Sequence, residues 1–90
     1  MASAHVDPAE LRRFAQELNR FNGDLQTLMS SLHSRLRNLE GTWRDQEQRK
    51  FTEAFDATVK TLGGFLEQSH LHVQFLAKKA ALVEEYLKSR

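Results

Sequence analysis

The sequence predicts an all-α fold, an antiparallel two-helix hairpin that dimerises into a four-helix bundle. Two long runs carry apolar residues at alternating steps of three and four, the spacing of one helical stripe. A single break, Gly41-Thr42-Trp43-Arg44-Asp45, separates them. One Pro, four Gly and no Cys in 90 residues leave too few turn signals for a β-sandwich or small barrel, and no disulfide framework. The whole chain reads as one hairpin, with helix 1 over about residues 8–40, a turn over 41–45 and helix 2 over about 46–88.

Helix 1 opens at Asp7-Pro8-Ala9-Glu10. The Asp7 carboxylate can accept from the orphan amides of the first turn, and Pro8 suits the first helical position because it has no amide to leave unpaired. Leu11, Phe14, Leu18, Phe21, Leu25, Leu28 and Leu32 follow on one heptad stripe, the expected core of hairpin and dimer. Leu36 and Leu39 continue it after a second consecutive step of four, a stutter that locally unwinds a coiled coil. Gly41 is placed to close the helix in the left-handed conformation that a Cβ disfavours.

Asp45 is a good second N-cap, with Gln48 three residues on to complete a capping-box-like pair. Phe51, Phe55, Val59, Leu62, Leu66, Ser69, Val73, Leu76, Ala80, Val83 and Leu87 then hold steps of three and four. At 1.5 Å per residue the second helix is on the order of 60 Å long, against roughly 50 Å for the first. Gly63-Gly64 interrupts it while preserving the register, which predicts a kink or a close helix crossing. The short connection leaves only an antiparallel arrangement.

The apolar surface exceeds one seam. Leu71, Phe75, Leu82 and Tyr86 cluster on nearly the opposite side of helix 2 from its main stripe, a partner surface or an extension of the dimer core. Two helices bury only one stripe each, and small chains without disulfides or metals are marginal alone. Two hairpins packed together are the expected solution.

Charge and chemistry narrow the function. Thirteen basic residues oppose twelve acidic ones, for a net charge of +1, and eight of the thirteen cations lie in residues 1–50. Interleaved Asp and Glu make this a solvated face rather than a nucleic-acid surface. His70 and His72 are two apart, a spacing that does not converge on a helix, and His5 and His33 stand alone, so no metal site is read. With no phosphate loop, nucleophile elbow or concave site, neither an enzyme nor a cofactor is implied. No apolar run approaches the roughly 20 residues of a membrane helix, and Met1–His5 shows no cleavable leader.

With the hairpin and its turn Trp established, the chain resembles the W-x-G helical-hairpin family, the ESAT-like substrates of type VII secretion. The likeness rests on Val6-Asp7-Pro8-Ala9-Glu10-Leu11, on Trp43-Arg44-Asp45, and on Phe51 and Phe55 eight and twelve residues after the Trp. Asp45 stands where the motif has its Gly, an exchange an N-cap position accommodates. The family's C-terminal export pattern, Tyr with an acidic residue four positions on, is not met, since Arg90 follows Tyr86 at that offset. The resemblance implies a non-enzymatic secreted protein, effector or adaptor, with Trp43 and Asp45 as its turn motif. A homodimer, or a heterodimer with a paralogue, is the implied assembly, with a secretion-system ATPase or a co-secreted protein as further partner. Export without a cleavable signal peptide and a cytoplasmic life as an intracellular coiled-coil adaptor both remain open at this point.

Overall fold

The computed structural model describes residues 6–89; Met1–His5, with His5 and the leader reading, and Arg90, with the export offset, lie outside them. Two helices, α1 (Pro8–Leu39) and α2 (Gln46–Lys88), form an all-α hairpin measuring 68 × 18 × 14 Å. Asp7 caps α1, its carboxylate accepting from the Ala9 amide at 2.9 Å, with Pro8 in the first turn. Asp45 caps α2 by accepting from the Gln48 amide at 2.9 Å.

Three local expectations are corrected. Gly41 is not left-handed, for no described residue has positive φ. Helix α1 closes instead by tightening: Gly41 N–H donates to Asn38 O at 3.1 Å, and Thr42 and Trp43 N–H both donate to Leu39 O at 3.0 Å. A Cβ on Gly41 would lie 3.2 Å from Asn38 O, so the tight turn still favours glycine. Gln48 does not reach back to its cap. Its buried amide crosses to Glu40 at 3.2 Å and to Thr52 Oγ1 at 2.8 Å, while Thr52 donates to Glu40 at 3.2 Å, so a polar cluster seals the turn end. Helix α2 runs unbroken through Gly63-Gly64, and a Cβ on either would meet nothing within 4 Å. No close crossing occurs there within the hairpin.

The seam is built from an uninterrupted heptad series on α2, from Gln48 and Thr52 through Phe55, Val59, Leu62, Leu66, Ser69, Val73, Leu76 and Ala80 to Val83, all buried or half-buried. Against it α1 turns Leu11, Ala15, Leu18, Asn22, Leu25, Met29, His33 and Leu36. Two consecutive steps of four, Leu25 to Met29 to His33, form the stutter. The heptad stripe and the seam therefore share Leu11, Leu18 and Leu25, all half-buried, and the buried Leu36, and otherwise part on either side of that line. Phe14, Phe21, Leu28 and Leu32, expected in the core, are exposed in the hairpin, as is Phe51. Small residues took the inward side: Ala15, Asn22, Ser69 and Ala80 are buried almost completely, and small side chains let helices approach closely.

At mid-seam Ser69 Oγ donates to Asn22 Oδ1 at 2.6 Å. Asn22 is 0% exposed and its Nδ2 has no hydrogen-bond partner among the described residues. Ser69→Ala removes the sole partner of a buried amide, so it destabilises the chain by about 1–2 kcal/mol; the urea midpoint followed by circular dichroism measures it.

Candidate partner-binding face

The two flanks of the seam differ in chemistry. On one, Arg12 Nε and Nη2 donate to the Glu84 carboxylate at 2.8 and 2.7 Å. These two hydrogen bonds, and then the charge behind them, hold the Glu84 carboxyl below its ordinary pKa and raise that of Arg12. The same flank sets His33 Nε2 3.7 Å from Asp56. Both side chains of the Arg12–Glu84 pair are about two-fifths exposed, at 43% and 40%, so solvent screens it and it works mainly as a geometric clamp on the open end.

The other flank is apolar. Helix α1 lays Phe14, Phe21, Leu28, Leu32 and Leu39 along it, every one exposed. The steps of seven in this row break to four between Leu28 and Leu32, following the stutter so that the row stays beside the seam. Helix α2 supplies Phe51 and Phe65 at one heptad position, with Tyr86 also at that position, and Phe75 and Leu82 at the next position outward. Phe21 and Phe65 meet edge to face, centroids 6.4 Å apart, which proves that the two rows share one face. Leu28 and Phe75 are each 66% exposed, so each contributes little to holding this hairpin together.

The turn ends the face with an aromatic stack. Trp43, half-buried, lies 5.9 Å from Phe51, and Phe51 stacks on Phe55 at 5.9 Å. Asp45 is exposed at the N-cap, and Arg44 Nε donates to Glu40 O at 3.3 Å across the turn. Trp43 is thus a lid on the hairpin end and an accessible edge of the apolar face.

The sequence-derived residues sort as follows. Leu66 is buried in the seam, and Phe55, Leu62, Val73, Leu76 and Val83 are half-buried there. Leu71, Phe75, Leu82 and Tyr86 are all exposed. Phe75, Leu82 and Tyr86 belong to the apolar face, whereas Leu71 sits beyond its outer edge, almost opposite the seam by heptad position. His70 and His72 are exposed. Among the described residues no cluster of three or more His, Cys, Asp or Glu could hold a metal ion, and no helix is long and apolar enough to cross a membrane.

Asn22, Gln48, Glu40 and the Arg12–Glu84 clamp were not singled out by spacing of apolar residues, since all are polar. One signal did exist: Ala15, Asn22, Met29 and Leu36 recur every seven residues, a second register beside the Leu11–Leu18–Leu25 line. Choosing between the two registers takes the partner helix.

Comparison with curated proteins finds no match, and comparison with solved structures finds none. A family model does match: residues 3–86 fit the WXG100 model, described as proteins of 100 residues with WXG. The match spans α1, the turn that carries Trp43, and α2 as far as Tyr86. On that match, and with the two-helix architecture the structure displays, the chain belongs to the WXG100 family.

Proposed function

We propose that this protein is a non-enzymatic, type VII secretion-type helical protein that works as a dimer, with the apolar face as its partner-binding surface and the Trp43 turn as its recognition tip. Members of the WXG100 family are small helical proteins tied to type VII secretion and typically dimeric, which supports the class. The observation that carries the reading is the pair of apolar rows on one flank, unbroken along α1 and interrupted on α2 by His72 and Lys79. Ten large side chains on this flank, from Phe14 to Tyr86, are each about half exposed. At roughly 150–250 Å² for an aromatic and somewhat less for Leu, this amounts to on the order of 800 Å², about what each partner contributes to a stable interface. Exposed apolar surface of that extent is the mark of an association site. A homodimer satisfies it with one gene product; a heterodimer with a paralogue is the other assembly that fits.

On this reading the dimer is exported folded, as an effector or an adaptor, and Trp43 meets the secretion ATPase or a co-secreted protein. Fractionation of the native host into cells, envelope and medium, with a cytosolic marker for lysis, tests it. The protein is expected in the medium, and Trp43→Ala is expected to retain it in the cells while leaving dimerisation intact. Confinement of the unaltered protein to the cytoplasm would sink export and favour the intracellular coiled-coil adaptor.

A further inference from the structure

We propose that Asn22-Gly23 is a self-modification site: the closed seam protects Asn22 from deamidation, and a chain left open undergoes it and cannot close again. Two observations meet at this dipeptide. Asn22 is 0% exposed in mid-seam, its Oδ1 accepting from Ser69 at 2.6 Å and its Nδ2 bonded to nothing among the described residues. Gly23, its exposed neighbour, has no packing use, since a Cβ there would meet nothing within 4 Å. Glycine is among the poorest helix formers, yet this one lies inside α1 (Pro8–Leu39). What it supplies is chemical: without a Cβ, its amide nitrogen can approach the side chain that precedes it.

The step needs only water. In an open chain the Gly23 amide nitrogen, after losing its proton to solvent, attacks Cγ of Asn22. The N–Cγ bond forms, the Cγ–Nδ2 bond breaks, and the carboxamide nitrogen takes up a proton and leaves as ammonia. Water then opens the cyclic imide. Addition at Cγ leaves aspartate at position 22; addition at the backbone carbonyl leaves isoaspartate, with the chain rerouted through Cβ and Cγ. The closed hairpin holds back both reactants. In α1 the Gly23 N–H donates to the carbonyl four residues back, at Asn19, so the nitrogen keeps its proton. The carboxamide of Asn22 is out of water and fixed by Ser69.

Either product bars closure. A carboxylate in place of the carboxamide would enter a buried site whose single donor is the Ser69 hydroxyl, and burial of so poorly paired a charge is costly. Isoaspartate inserts an extra backbone carbon, which breaks the hydrogen-bond ladder of α1 beside the seam. Opening is thereby recorded in covalent form. The other asparagines show the same separation of risk. Asn19 and Asn38 are exposed on α1 but precede Arg20 and Leu39, whose side chains hinder the attack. Exposure and a following glycine never coincide in the folded chain.

Full-length protein is held at neutral pH, folded in buffer or unfolded in guanidinium chloride, then sampled over time and digested with trypsin. The peptide Phe21–Arg35 carries Asn22 as its one Asn, while Phe14–Arg20 and Asn38–Arg44 carry Asn19 and Asn38 as internal controls. The mass gain of amide-to-acid conversion is followed in each. Conversion at Asn22 is expected to run well ahead of both controls in denaturant and to be slow in buffer. Closing outpaces cyclisation, so the rate in buffer follows the open population. Ser69→Ala is expected to raise that rate about fivefold to thirtyfold through the weakened seam. Gly23→Ala is expected to bring conversion in denaturant, where folding plays no part, down to the level of the controls. Once denaturant is removed, the share of chains that regain helicity should fall in step with conversion. Conversion as fast in buffer as in denaturant overturns the proposal, as does conversion in denaturant no faster than at Asn19 and Asn38. So does a rate indifferent to Ser69→Ala, or converted chains that refold fully.

Discussion

Leu66→Ala is expected to cost about 2–5 kcal/mol, enough to unfold the chain at the low concentrations where association does not support it. Leu66 is 7% exposed in the middle of the seam, and among the described residues Leu36 is its only large apolar companion buried to that degree. The other apolar residues buried to that degree are Ala15 and Ala80, which contribute little area each. A two-helix seam of this kind leaves at most a few kcal/mol in hand. The contrast is Leu28→Ala, which removes the same atoms from a side chain 66% exposed and should change the hairpin by less than about 0.5 kcal/mol. Urea titration of both variants at matched low concentration, read by circular dichroism, gives the comparison. Equal losses would mean that Leu28 lies in the seam and that the assignment of the inward side of α1 is wrong.

Phe75→Glu should separate folding from association most sharply. Phe75 stands 66% exposed on its own chain, so the hairpin loses little buried contact and keeps its helicity. In the dimer the same substitution places two carboxylates, one per copy, in desolvated surroundings. Truncated anchors at interface centres cost upwards of 2 kcal/mol, and an unpaired buried charge costs more. The dissociation constant is expected to rise at least a hundredfold in sedimentation equilibrium, with an unchanged spectrum for the monomer. A variant that dimerises normally would remove Phe75 from the interface; one that loses helicity as a monomer would place it inside the hairpin.

The contrast between Leu66 and Leu28 turns on the orientation of α1, the point at which reading from spacing stopped short. Apolar residues spaced by three and four placed the stripe of α1 along Leu11, Phe14, Leu18 and Phe21, and placed that of α2 along Phe55, Leu62, Leu66 and Val73. For α2 that line is the seam, except at its two ends, Phe51 and Leu87, which are exposed. For α1 it straddles the boundary between the seam and the exposed face, because Leu11, Leu18 and Leu25 serve both. Hydrophobic periodicity measures which residues avoid water and is blind to which partner removes them from it. A residue destined for a second molecule and one destined for the neighbouring helix look alike in sequence. Polar seam residues are blind to it in another way: Asn22 and Gln48 are buried because each has a specific oxygen or nitrogen to meet, and that requires the other helix in place.

What the sequence determined by itself is therefore the local and the periodic. Asp7-Pro8 and Asp45 start the helices because their carboxylates satisfy amides two and three residues away. The break at 41–45 makes the hairpin, and more apolar residues are present than one seam buries. Trp43 with Phe51 and Phe55 marks the family. Tertiary structure decided the rest. It rotated α1 so that Ala15 and Asn22 face inward and Phe14 and Phe21 outward, turned Gln48 from its cap toward Glu40, and closed the turn without a left-handed glycine. It also gathered two rows of large side chains onto one face while the Arg12–Glu84 clamp held the other. The physical reason is common to all of these. Capping and periodicity act over a few residues along the chain, whereas the inward side of a helix is set by close approach to another helix tens of residues away.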